Sequence, residues 1–578
     1  MGALIGYFGK PEASLLAAMG KKLKHRGPLQ QISRTPWGEL GHLHRPVPKN
    51  CRWLVGGSYH NGDNAIALAG FLTKPENTSL PELLTAFQSE GMALFKRLRG
   101  QFLLAIMTEQ ALILVRDSLG NRTAFWAYHD ARYYFASEPK AIWSSASLNR
   151  TLRPEALAQY LSFSFIPGAA TMLQEIQELQ PGHALILPHN TPPSSVSYLD
   201  YDAPRQHQSY SEAEWVRQFK AAHQAAVAER LPDRDPIAVF LSGGVDSSAV
   251  TAELSKQAPG RIHSFAIHFG RKYPNELEFA RMVATHCHTI HEEVLIQPRD
   301  FLPRLRQIIW TLDNPIGDPI TVPNYELAAH VARLTPWVFN GEGGDPLFGG
   351  PKNLSMLLHH WYGGIERDAG FRERNYLASY RRAYEEWQSI LTPDIRREID
   401  PKTHLEDVIG DYLNRPKPGT FLNKLMLLNT QLKGAHLILP KVEAMTGAHQ
   451  ITALSPLFDQ RLAELSFAMP PTLKLQGGVE KIVLKRAYEP YLPARIIKRP
   501  KSGMRVPVHY WFQKEMRRYT QKILSKKSLD QAGIFDPKRV KQILDYDLDD
   551  RKGRYGIRLW MLLTFEIWRR LTIEGEPL

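Results

Sequence analysis

Between Val239 and Val250 the chain reads VFLSGGVDSSAV: an apolar run stops at a serine and two glycines, and Asp246 follows at once. Glycine lets a backbone come close to a ligand and accepts positive φ without strain. A glycine turn that opens a helix aims free N–H groups, backed by the helix dipole, at an anion. Phosphate suits that place, but phosphate alone repels a carboxylate. A cation between them removes the conflict, and Mg²⁺ is commonly held by one or two carboxylates together with phosphate oxygens. The stretch therefore reads as a pyrophosphate cradle, Ser242, Gly243, Gly244 and Ser247, with a metal ligand, Asp246, built into it. Glycines alone would fit an ordinary strand-to-helix turn; the added carboxylate and serines decide.

WVFNGEGGDPLFGG, Trp337 to Gly350, repeats this logic: an apolar strand leads into clustered glycines and two acids, Glu342 and Asp345. Both loops follow strands, and open parallel sheets bind ligands at the carboxyl ends of their strands. Asp246 and Asp345 are expected to share one Mg²⁺ on the pyrophosphate of ATP, with Glu342 a turn away, toward the reacting group. Nearer the C-terminal end, ARIIKRPKSGM sets Lys501 between a proline and a small-residue turn. A lysine aimed into such a site stabilises the charge that develops when a carboxylate attacks phosphate or an amine attacks an acyl adenylate. Taken alone, Lys501 fits a solvated surface lysine better, because lysine is seldom buried.

Loops of this kind need a sheet to hold them. From Leu4 to Leu187 short strands (AIALAGFLT, QFLLAIMT, ALILVRD, RYYFASE) surround helical stretches near Ser14–Leu23 and Leu80–Leu98, a pattern for an α+β unit on antiparallel sheets. Pro188 to Ser211 turns polar and proline-rich, as a linker does. PIAVFL, IHSFAIHF and WVFN then alternate with helical patterns, which argues a parallel sheet covered on both faces, and beyond Gly350 the pattern is mostly helical. The expected division is 1–195, a linker 196–212, and 213–578.

The 578 residues exceed what one core holds, and 43% hydrophobic with 22% charged residues is an ordinary globular balance. No apolar run reaches membrane-span length, and no basic-then-apolar signal peptide opens the chain. A myristoylation site is excluded by Gly6, where Ser or Thr is needed. Two cysteines, Cys51 and Cys287, make no disulfide framework and suit a reducing cytoplasm. A net charge of +14 favours an anionic partner, but the basic residues are dispersed, so nucleic acid is disfavoured.

SGGVDSS, HSFAIHF, NGEGGDPLFGG, VEKIVLKRAYEPYLP and KRPKSGM, in this order, resemble the asparagine synthetase family. IGYFGK, KHRGP, LGHLHR, VRDSLG and YYFASEPKAI resemble that family's glutamine amidotransferase half. The resemblance implies an Ntn-type α+β sandwich followed by an α/β adenine-nucleotide-hydrolase-like synthetase domain with a parallel sheet. It implies ATP and Mg²⁺ as cofactors, pyrophosphate on Ser242 to Ser247, metal on Asp246 and Asp345, and catalysis by Glu342 and Lys501. By the same resemblance, adenine contacts fall near Leu241, Ile267, Asn340 and Gly341.

The departures are as informative. The family's amidotransferase uses an N-terminal cysteine; here the second residue is Gly2, which has no side chain to attack with. The glutamine-pocket string NGEIYN becomes AGFLTK, with Ala69 and Phe71, and His44 stands where an arginine is expected. On the acceptor side, TALSPLFD carries Thr452 and Leu454 in place of a charged pair, and DELFGG becomes DPLFGG with Pro346. A small amino acid needs charged partners for its own termini, so apolar replacements suggest a larger or peptide-like substrate.

The expectation is thus an AMP-forming carbon–nitrogen ligase without glutamine hydrolysis, closest to the family's β-lactam synthetases and lasso-peptide cyclases. β-Lactam synthetases carry tyrosine at the position of Glu342, so macrolactam formation on a precursor peptide, supplied with an accessory peptidase, is favoured; a homodimer is left open. The alternatives are an ammonia-using asparagine synthetase, a β-lactam synthetase-like enzyme and a tRNA-modifying adenylating enzyme; a non-catalytic binding module is disfavoured because both aspartates and the lysine remain. HCHTIH (His286 to His291) lacks the second ligand pair of a zinc site, HLHRP (His42 to Pro46) reads as a degenerate amidotransferase loop, and MLLHHWYGG (Met356 to Gly364) reads as core packing. YGIRLWMLLTFEIWRRL reads as a buried C-terminal helix.

Overall fold

The computed structural model describes residues 2–578 apart from 13, 45–52, 144–147, 200–209, 234–235, 363–369, 380–382, 401, 417–418, 502 and 548–555. Cys51, Pro46, Ser502 and most of the expected linker therefore lie outside the described residues. In the N-terminal half two six-stranded antiparallel sheets face each other. Strand alternation builds the layers. Leu4 and Phe8 enter the space between the sheets with Leu103, Ala105 and Met107, while Ile5 and Tyr7 pack with Leu15, Leu16 and Met19 of the helix Leu15–Lys22. On the far side, Ile66, Leu68, Leu104 and Ile106 cover the helix Leu80–Glu90, which begins at a Ser79–Glu82 capping box. The result is a helix–sheet–sheet–helix sandwich.

Ser194–Ser197, within the polar stretch read as linker, adds an edge strand to His183–Pro188. All of its residues are exposed, so it carries no apolar alternation that a sequence could announce. Tyr198 then ties the chain down, its buried hydroxyl donating to the Arg116 carbonyl at 2.6 Å.

The second half is built on a five-stranded sheet of β1 (Ile237–Phe240), β2 (Ile262–His268), β3 (Ile290–Leu295), β4 (Trp337–Phe339) and β5 (Thr452–Leu454). All pairings are parallel, in the order β3-β2-β1-β4-β5. The order reverses at β1, so β1 and β4 are neighbours and the crevice of a doubly wound sheet opens at their carboxyl ends. α1 (Val245–Gln257) follows β1 and α2 (Gly344–Phe348) follows β4, which sets the two glycine loops side by side. A π-helical segment, Asn429–Ile438, runs on into α3 (Leu439–Gly447) and closes the crevice from the side.

α4 (Ile557–Thr572) is buried almost throughout, and its internal Glu566 is held by Arg569 and Arg570. No helix among the described residues is long and apolar enough to cross a membrane. Within the helix Pro351–Tyr362 only part of the expected core packing is found: Met356 is buried, but Leu358 and Trp361 are exposed. Three residues apart, they share an outward stripe of a surface helix.

Candidate active site

Gly243 turns the first loop with φ +73°, and a Cβ there would lie 2.5 Å from the Cβ of Phe279. Ser247 Oγ accepts from the Ser242 N–H at 3.3 Å and donates to the Gly244 carbonyl at 3.2 Å, so the serines rigidify the turn that opens α1. In the second loop the Asn340 side chain accepts from the Glu342 N–H at 3.0 Å. The loops touch where they are smallest. A Cβ on Gly341 would stand 2.4 Å from Ser247 N, and one on Gly344 2.1 Å from Asp246 Oδ1. The clustered glycines thus let the α2 turn reach the Asp246 carboxylate. Gly344→Ala is expected to displace that carboxylate and weaken Mg²⁺-dependent ATP binding by about tenfold or more, the scale of an overpacked contact. Calorimetry against Gly419→Ala, where an added Cβ meets nothing within 4 Å, checks this.

Asp246 and Asp345 converge on Lys481 Nζ, which lies 2.5 Å from an oxygen of each. Lys501 Nζ stands at 3.4 Å from Asp246 and 3.8 Å from Asp345. Glu480 fixes the lysine segment by accepting from the Lys501 N–H at 3.2 Å and from Lys485 Nζ at 3.2 Å. Burial alone would raise Asp345, but Lys481 and Lys501 outweigh it and hold the carboxyl below the ordinary range. Burial would lower Lys501, but Asp345, Asp246 and Glu342 outweigh it and keep the ammonium charged. Glu342 goes the other way: burial raises its carboxyl, against the opposing charges of Lys441 and Lys501.

One cavity of about 250 Å³ gathers Leu241, Ser242, Gly244, Asp246, Ser247, Ile267, Asn340, Gly341, Glu342, Asp345 and Lys501; Gly243 forms the turn behind it. Asp246 Oδ1 and Asn340 Nδ2 are buried there without a hydrogen-bond partner among the described residues. An orphaned carboxylate oxygen beside a second carboxylate fits Mg²⁺, and an orphaned amide donor among Leu241, Ile267 and Leu327 fits a base edge.

Residues 218–570 match the family described as asparagine synthase, and residues 77–198 match the glutamine amidotransferase domain. The chain belongs to the asparagine synthase family. As a family member it is a ligase of the asparagine synthetase type, an ATP-dependent amide-forming enzyme. It is 24% identical to asparagine synthetase [glutamine-hydrolyzing] 1 of Bacillus subtilis over 85% of this chain and 80% of the relative. It is 26% identical to a putative asparagine synthetase [glutamine-hydrolyzing] of Mycobacterium bovis over 98% of this chain and 95% of the relative. It is also 22% identical to the amidase chry2 of Gibberella zeae, over 82% and 80% respectively.

Against that family background three placements stand out. Gly2 has φ +69°, and a Cβ there would fall 1.8 Å from the Leu43 carbonyl oxygen and 2.8 Å from His42 Nε2. Ala69 and Phe71 are core residues, Phe71 packing its ring 4.9 Å from that of Trp53. Thr452 and Leu454, read from the sequence as acceptor-side residues, are buried within β5 and line no part of the cavity; Leu454 instead accepts from the Asn340 N–H at 3.1 Å. The short paired strand sends both side chains into its packed face.

The wall opposite the loops is made by residues the sequence reading passed over: Ile320, Asn324, Leu327, Lys433, Ile438, Val442 and Thr446. Lys481 was passed over too. Its signal was present, because it follows the Gly477–Gly478 turn and opens the helix Ile482–Tyr488, as Asp246 follows its own glycines. In HCHTIH, Cys287 is buried, which pushes its thiol up to about 11, and His291 Nδ1 lies 2.8 Å from Ser264 Oγ.

Proposed function

We propose that the protein adenylates the carboxylate of a peptide and joins it to an amine of the same peptide, without hydrolysing glutamine. The carboxylate oxygen attacks the α-phosphorus of ATP and pyrophosphate leaves. The amine nitrogen then attacks the acyl carbon, AMP leaves, and Glu342 takes up the proton the amine sheds. Lys501 offsets the negative charge that builds at the reacting centre in both steps. Asp246 and Asp345 would hold Mg²⁺, which would supply the positive charge that pyrophosphate needs to bind and to leave.

The observation that carries this reading is the convergence of Asp246, Asp345 and two lysines in one crevice, joined to an amidotransferase half whose second residue is Gly2. The amine must then come from elsewhere. The acceptor wall supports a peptide: Ile320, Ile438 and Val442 are apolar, Lys433 is basic, and the +14 charge suits an acidic precursor. An accessory peptidase would free the precursor's N-terminal amine in the cytoplasm, where ATP is available.

The test supplies ATP and Mg²⁺ with aspartate and ammonium, with aspartate and glutamine, or with short peptides bearing a free amine and an internal Asp or Glu. Pyrophosphate release with a product lighter by one water, only from peptides, is expected. Asparagine formed from ammonium would instead establish the ammonia-using synthetase. Glutamine should yield no glutamate above background, and Gly2→Cys should not create that activity, since its Cβ collides with the Leu43 carbonyl. Rapid glutamine hydrolysis by this single variant would show that the pocket survives.

A further inference from the structure

Two buried ionic networks cross from the N-terminal half into the ligase half. In the first, Glu443 on α3 meets Arg26 at 2.5 Å, Arg122 at 3.0 Å and the Thr123 N–H at 2.8 Å. Arg26 also donates to the Glu443 carbonyl at 3.2 Å and lies flush on the last turn of α3, where a Cβ on Gly447 would be 2.2 Å from it. In the second, Arg116 pairs with Glu178 at 2.7 Å and donates to the Ala435 carbonyl at 3.0 Å. The other oxygen of Glu178 meets His436 Nδ1 at 3.1 Å. Arg26, Arg116, Glu178 and Glu443 are all buried.

Apolar packing would hold two halves together at least as firmly as buried ion pairs do. What the pairs add is direction, because forked guanidinium bonds fix an angle as well as a distance. Both anchored elements belong to the continuous stretch 429–447, and that stretch supplies Lys433, Ile438, Val442 and Thr446 to the active-site cavity. A smaller cavity lined by Arg122 and Glu443 shares Val442 and Thr446 with the main one, so the anchor stands directly behind the wall. The same helix carries Lys441, 2.7 Å from Asp318.

We infer that the N-terminal half serves the ligase as a clamp, and that Glu443, gripped by Arg26, Arg122 and Thr123, is a positioning residue that fixes the acceptor wall. The inference rests on the ligase reading, but its test uses no acyl substrate, so the two fail separately. Hydrogen–deuterium exchange is followed on the full-length chain, with ATP and Mg²⁺ as the only ligands. Glu443→Gln should raise uptake across 429–447 about tenfold, while uptake at 239–250 and the ATP affinity stay within about twofold of the parent. Glu443→Asp, which keeps the charge, should restore part of the protection. Should Glu443→Gln not fold, Arg122→Gln removes one arm of the clamp and should give a smaller rise over the same stretch. Unchanged uptake at 429–447, or a rise spread evenly over the whole chain, overturns the clamp.

Discussion

Asp246→Asn and Asp345→Asn should each abolish Mg²⁺-dependent ATP binding while leaving the fold intact. Asparagine keeps the shape that the Gly344 turn is built around, so packing is preserved and only charge is lost. That charge is what the site is organised on. Lys481 and Lys501 both face the two carboxylates, and removing either acid leaves two ammonium groups against the one that remains, a poor cradle for a further cation. A polarising metal contributes several kcal/mol to a transition state, so pyrophosphate release should fall by about a thousandfold or more. Calorimetry with ATP and Mg²⁺ measures the binding arm without knowledge of the acyl substrate. Parent-like titrations from both variants would sink the two-loop site.

The parts of this site that the sequence announces are the local ones. SGGVDSS and NGEGGD each hold an apolar strand, glycines and an acid within a few residues, and the alternation of strands with helices sets both at carboxyl ends of one sheet. Which strands adjoin is not local, yet the rule that open parallel sheets bind ligands at the carboxyl ends of their strands was enough to pair the loops, and β1 lies beside β4. The acceptor wall was illegible for a physical reason. Its residues Lys433, Ile438, Val442 and Thr446 lie on a π-helical stretch that matches neither the helical nor the strand period, and on a helix bonded to an arginine distant in sequence. β5 is only three residues long, too short to show a period, so Thr452 and Leu454 were read as pocket residues when they are sheet interior. Lys481 is a middle case. Its backbone is left-handed at φ +59°, a conformation an ordinary lysine avoids, and only the preceding glycine turn hints at it.

The two lysines of the cluster should separate binding from chemistry. Lys481 is fully buried, equidistant from both aspartates, and locked by its backbone N–H on the Lys474 carbonyl at 2.6 Å. Lys501 stands farther from both carboxylates, and its side chain retains 24% exposure, so its charge is less committed to them. Opposing charges keep it an ammonium despite its surroundings, which leaves it ready to meet new negative charge. Lys501→Met should therefore hold ATP affinity within about threefold and cut turnover by roughly a hundredfold or more, the effect of removing one preorganised donor. Lys501→Arg should not rescue turnover fully, because a planar guanidinium cannot stand in for a compact ammonium at a crowded acyl phosphate. Lys481→Met should instead weaken ATP binding, since Lys481 is the ammonium that holds the two carboxylates together, 2.5 Å from an oxygen of each, and Lys501, at 3.4 and 3.8 Å, is too far to fix them in its place. The comparison needs only the substrate that releases pyrophosphate and a titration of ATP. Normal turnover in Lys501→Met would leave that residue a structural partner of the two aspartates and amide formation without its cation; equal loss of ATP binding in both variants would make the pair a single electrostatic unit with no division of labour.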